Sequence, residues 1–127
     1  MIIVIIHWKI KEGAEHRATF LQHWKETLTI EERSHLVGEF LSEPVSPGEV
    51  DFDVTILGVS ESAPYQSFFN VGLWASLDSF EEQVIKPYVG STSEPKDFEY
   101  EYRSRMVLVP LAWRRGRQDL PYADHIA

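Results

Sequence analysis

Between Phe68 and Phe80 the chain passes from a two-residue repeat to a helical one with only Ala75-Ser76 in between, so an aromatic strand runs straight into the start of a helix. Read as a strand, Phe68, Asn70, Gly72 and Trp74 share one face, and Phe69, Val71, Leu73 and Ala75 share the other. The first face carries an amide and an indole N–H pointing the same way, on either side of a residue with no side chain. A plain core strand would repeat Val or Ile there, so the pattern predicts room for a ligand at Gly72. Ser76 then suits the N-cap of a helix, with Asp78, Glu81 and Glu82 favoured near the positive end of its dipole. Leu77, Phe80, Val84 and Tyr88 give that helix an apolar face.

The rest of the chain arranges itself around this unit. Ile2 to Ile10 reads as a first strand, ended by Lys11-Glu12-Gly13, where glycine supplies a permissive backbone for the turn. From Ala14 to about Leu28 the residues Ala14, Ala18, Leu21, Trp24 or Lys25, and Leu28 recur at helical spacing, which predicts an amphipathic helix on a sheet. Leu36 to Val45 reads as a second strand, stopped by Pro44 and Pro47. In the stretch around 46–66, Val50, Phe52, Val54 and Ile56 alternate with Asp51, Asp53, Thr55 and Leu57, which predicts an inserted strand or hairpin arm. The second helix should end near Pro87 to Gly90. In the last strand Tyr100, Tyr102, Ser104, Met106 and Leu108 alternate with Glu101, Arg103, Arg105, Val107 and Val109.

That order predicts an α+β, ferredoxin-like βαββαβ plan with an antiparallel sheet over residues 1–112, an insertion around 46–66 and a polar tail over 113–127. Two helices cover one face of such a sheet. The other face, if apolar, calls for a second copy of the chain, so a homodimer is expected.

Composition removes several classes of function. Twelve basic against twenty acidic residues give a formal charge of −8, which repels phosphate backbones and acidic membranes, so no nucleic-acid or membrane partner is expected. With no cysteine there is no disulfide framework, thiolate nucleophile or thiolate metal site. The longest apolar run, Ile2 to Ile6, is too short to span a bilayer and lacks the flanks of a signal peptide, and a cytoplasmic location is expected. His16 and His23 stand seven apart, too far for the helical i, i+4 metal pair, and no metal site is expected. The acid pairs Asp51/Asp53 and Glu81/Glu82 suit solvent better than glycosidase chemistry. No glycine-rich phosphate loop or nucleophile elbow is present in the sequence.

The opening strand, Lys11-Glu12-Gly13 and the helix after it, together with Leu73-Trp74-Ala75-Ser76 followed by Phe80, resemble the antibiotic-biosynthesis-monooxygenase-like branch of the dimeric α/β barrel superfamily. Asn70 precedes Trp74 by four residues, and in the family's cofactor-independent quinone-forming oxygenases an Asn and a Trp at that spacing line a pocket between sheet and helices. The resemblance implies a small homodimer that binds a hydrophobic aromatic molecule. It further implies oxidation of a phenolic or anthrone-like substrate by dioxygen, without cofactor or metal. A pocket for this chemistry must be dry and must carry preorganised donors, a description that fits Asn70 and Trp74. His7, on the first strand, is the candidate base, and Arg103 or Arg105 is the candidate anion partner if its face of the last strand meets the cavity. The family's haem-degrading members resemble the chain at Trp74 but place an iron-ligating His in the second helix. Here that stretch is Glu82-Gln83-Val84-Ile85-Lys86-Pro87, without histidine, so haem is not expected. A non-catalytic ligand-binding or stress-response dimer of the same superfamily is the alternative.

Overall fold

The computed structural model describes residues 1–27, 33–54, 62–89 and 94–119. Strand β1 (Ile2–Lys11), helix α1 (Ala14–Gln22), strand β2 (Leu36–Ser42), strand β3 (Tyr65–Trp74), helix α2 (Leu77–Phe80) and strand β4 (Glu99–Leu108) follow in that order. Both helices continue in wider π-helical turns, α1 through His23–Thr27 and α2 through Glu81–Val89. The four strands form one antiparallel sheet in the order β2-β3-β1-β4, a ferredoxin-like α+β fold.

Alternation along the two central strands sets the layers. On β1 the residues Ile2, Val4, Ile6, Trp8 and Ile10 are buried while their odd-numbered neighbours are half-buried. On β3, Phe68, Asn70, Gly72 and Trp74 are buried and face the same layer. The core between this face and the helices is completed by Phe20 from α1, Phe80 from α2 and Phe98 just before β4. Burying such a side chain contributes roughly 1.5–3 kcal/mol, so the aromatic content of this layer dominates its cohesion.

The turn at Gly13 has φ 111°, the left-handed region that the glycine before α1 was expected to serve. At the start of α2, the Ser79 backbone N–H donates to Ser76 Oγ at 3.2 Å and the Ser76 N–H donates to Ser79 Oγ at 3.1 Å, a reciprocal cap around the predicted Ser76.

Three expectations are corrected. Ala14 and Ala18 are exposed, and α1 meets the sheet through Phe20, with Leu21 and Trp24 beside it, because an aromatic ring buries far more apolar area than a methyl group. The second strand stops at Ser42, two residues before Pro44, rather than reaching Val45. Residues 50–54, expected to begin an inserted strand, are not in a strand and follow a short 3-10 turn at Pro47–Glu49. The remainder of that expected strand, residues 55–57, the end of the first helix near Leu28, and the tail beyond Asp119 lie outside the described residues.

The opposite face of the sheet carries Ile3, Ile5, Phe40, Val71 and Leu73, all half-buried, with Met106 and Leu108 exposed opposite Ile5 and Ile3. No described helix is long and apolar enough to cross a membrane.

Candidate functional site

The helix-side face of the sheet is apolar at its centre and carries two polar groups, the Glu99–Arg103 pair and Arg105 on β4 and a short polar chain at its β2 side. Asn70, 2% exposed, accepts a hydrogen bond at Oδ1 from the Trp24 indole N–H at 2.9 Å, and its Nδ2 donates to Glu39 Oε1 at 2.7 Å. Three elements build this chain. The π turn after α1 supplies the indole, central β3 supplies the amide, and edge strand β2 supplies the carboxylate. The hydrogen bonds run in one direction, from Trp24 through Asn70 to Glu39, so the amide orientation is set at both ends.

Glu39 owes its position to an irregularity in β2. Leu36 pairs with Trp74 and Glu39 pairs with Gly72, and the register shifts between Leu36 and Gly38. A regular two-residue period would put Leu36 and Glu39 on opposite faces; the bulge puts both on the helix side. Burial pushes the Glu39 carboxyl above its ordinary range, while the hydrogen bond from Asn70 and the charge of Arg33 oppose that rise.

Gly72 does not leave open space. A Cβ there would lie 3.1 Å from Trp74 Nε1, so the indole of Trp74 lies over the glycine and takes the room that a side chain would need. This corrects the expectation of a vacant slot at that residue. Trp74 itself is 1% exposed and meets the Phe80 ring edge to face at 5.8 Å.

Across the same face, Ile6 pairs with Asn70 on one side and with Arg105 on the other. Two strand spacings of about 4.8 Å put the amide strand and the guanidinium strand about 10 Å apart. Arg105 donates to the Tyr102 hydroxyl at 3.3 Å, and its Nε is buried with no acceptor among the described residues. Next to it, Arg103 is bonded to the buried Glu99 and lies 4.1 Å over the Trp8 ring, so its charge is spent on structure. Of the two arginines proposed from sequence, Arg105 is the one left with donor capacity.

The structure therefore puts Asn70 and Trp74 on the helix side, four residues apart on β3, and puts His7 elsewhere. His7 pairs with Phe69 and lies on the opposite face, where its ring stacks on Phe69 at 4.5 Å and its Nε2 shares a 2.9 Å hydrogen bond with Ser67 Oγ. Burial, and then the nearby Lys9, hold its pKa below the ordinary imidazole value, with Glu101 opposing. A side chain on that face cannot act on a group beside Asn70. Sequence reasoning missed Glu39 altogether and read Trp24 only as one of two choices for an apolar stripe. The signal for Glu39 was a lone carboxylate between Leu36 and Leu41, on a strand that also holds Gly38.

No protein-family model matches the chain, and no curated protein matches it. Among solved structures the chain is similar to a mutant of MhuD crystallised with two manganese protoporphyrin IX molecules bound per active site. The two share 17% sequence identity with a TM-score of 0.52, over 90% of this chain and 99% of that one. At that identity the likeness establishes the ferredoxin-like fold alone.

Proposed function

We propose that this protein binds a small hydrophobic aromatic molecule between sheet and helices, and oxidises it with dioxygen without metal or flavin. The observation that carries the reading is the Trp24–Asn70–Glu39 chain: an oriented polar group at the β2 side of the sheet, beside the apolar core, with a titratable carboxylate at its end. Asn70 and Trp74 form the inner wall of the proposed pocket. His7, on the other face, leaves the catalytic set. A flat macrocycle bound to the same fold in MhuD supports a layer that can take a planar guest.

For an anthrone, the reaction converts a ring CH2 into a carbonyl. One oxygen atom of dioxygen enters the product and the other leaves as water with the two hydrogens removed. A second copy, in this proposal, covers the apolar face that carries Ile5, Val71 and Leu73 and completes a dimeric barrel.

A second reading has its own observation. Asn70 and Trp74 are almost wholly buried and already satisfied or packed, which suits a non-catalytic dimer in which they only shape the core. Oxygen uptake separates the two. Purified protein incubated with anthrones and hydroquinones should consume oxygen, and Asn70→Ala and Trp74→Phe should each slow it at least about tenfold, the scale of one lost transition-state contact. Equal rates in all three proteins, or none above buffer, would overturn the catalytic reading and leave the second.

A further inference from the structure

We infer that Glu39, rather than Asn70, is the reacting side chain: it acts as the base that removes the substrate's proton, while Asn70 in the pocket wall is a positioning residue that aims it. The inference rests on the pocket reading above and deepens it by assigning the reacting group. It starts from exposure. Asn70 is sealed at 2% exposed, with Trp24 on one side of its amide and Glu39 on the other, whereas Glu39 is only half-buried and stands on an edge strand. Both ends of the chain, Trp24 and Glu39, are half-buried, and of the two only Glu39 presents a titratable oxygen. A ligand entering from the β2 edge reaches Glu39 before any other member of the chain.

The surroundings of Glu39 suit a base. The β3 residues nearest in register are Gly72, which has no side chain, and Asn70, which is neutral; Trp24 from the turn after α1 is also neutral. Leu36 and Leu41 flank it on its own strand and pack against the core. The charged group that acts on it is Arg33, on the segment leading into β2. Burial and these neighbours work against one another, and the carboxyl is left a stronger base than one in water.

The substrate C–H bond breaks, its electron pair stays in the ring system as the enolate, and the proton goes to a Glu39 carboxylate oxygen. The enolate carbon forms a bond to dioxygen, and the resulting peroxide anion takes the proton back from Glu39. Loss of water from the hydroperoxide, with cleavage of its O–O bond and removal of the second C–H proton, leaves the carbonyl. The carboxylate ends as it began.

The test is the pH dependence of kcat/KM for anthrone oxidation in the wild type, Glu39→Gln, Glu39→Asp and Asn70→Ala, alongside binding of unreactive anthraquinone to each. In the wild type kcat/KM should rise with pH along a limb centred above 4.5, the ordinary carboxyl value, because the base must be ionised. Glu39→Gln, nearly isosteric, should keep anthraquinone affinity, lose that limb, and fall by about a hundredfold or more. Glu39→Asp should restore part of the rate with the limb displaced. Asn70→Ala should keep a limb but move it, since the hydrogen bond that favours the carboxylate is gone. An unchanged rate and limb in Glu39→Gln, with anthraquinone still bound, would overturn the assignment while leaving the pocket intact. Failure of the wild type to bind anthraquinone would overturn the pocket and the assignment together.

Discussion

At the residue scale, the hydrogen bonds of Asn70 determine what a substitution there does. Asn70→Ala leaves the Trp24 indole N–H without its acceptor and Glu39 without its donor in a largely dry layer. An unmade buried hydrogen bond costs about 1–3 kcal/mol, and the midpoint of urea unfolding should fall accordingly. Gly72→Ala attacks the same layer sterically. Its Cβ would crowd Trp74 Nε1, so the indole must move, and the variant should unfold more easily by about 1–3 kcal/mol with altered tryptophan fluorescence. The face shared by Phe68, Asn70, Gly72 and Trp74 was legible in the sequence because a strand's two-residue period needs no tertiary information. Glu39 was not legible, because its face depends on a bulge that appears only when β2 is paired with β3. The vacancy expected at Gly72 was a misreading of the same kind: a missing side chain shows where space is needed, and here the Trp74 indole two residues on is what needs it.

At the element scale, the order of strands and helices was readable from punctuation by Gly13, Pro44 and Ser76, while the inward side of α1 was not. Helical spacing places Ala18 and Phe20 on nearly opposite sides, and only the flanking aromatic rings of Trp8, Phe68 and Phe98 decide that Phe20 is the one buried. Strand β4 shows the same limit. Its register shifts between His7 and Lys9 and again between Lys9 and Ile10; Glu99 and Arg103 stay on the helix side, while Glu101, which plain alternation would put with them, is set opposite Lys9 and forms a 2.9 Å ion pair with it. Glu99 and Arg103 form a buried pair whose members cannot be removed singly without exposing a charge to the core. Glu99→Ala should therefore destabilise the protein by about 3–5 kcal/mol, far more than Glu101→Ala at the exposed end of the Lys9 pair, as calorimetry of the two variants would show.

For the whole molecule, the proposed dimer makes a pH-dependent prediction through His7. Its pKa is depressed from the ordinary 6.5, so the folded protein holds fewer protons than the unfolded chain as pH falls through that region. Stability is thus fullest above 6.5 and declines as pH drops toward and through the depressed value. His23, lowered mainly by burial and then by Lys96 and Arg103 with Glu99 opposing, acts in the same direction from the helix side. Only His7 lies on the face assigned to the second copy. Analytical ultracentrifugation should show a dimer at neutral pH that dissociates under acid, while His7→Gln should weaken that acid response and Val71→Asp should give a monomer at every pH. A wild-type monomer at neutral pH and micromolar concentration would remove the barrel.

If an aromatic molecule occupies the layer next to Trp24, Asn70 and Trp74, the four tryptophans offer a direct probe of it. Trp113 is 73% exposed and lies beyond the sheet, whereas Trp24 donates into the polar chain and Trp74 lies over Gly72, the β3 residue paired with Glu39. In a ¹H–¹⁵N spectrum titrated with anthraquinone, with indole signals assigned by single Trp→Phe variants, the Trp24 and Trp74 cross-peaks should shift to saturation while Trp113 stays in place. Stationary Trp24 and Trp74 signals throughout the titration would rule out an aromatic guest in this layer.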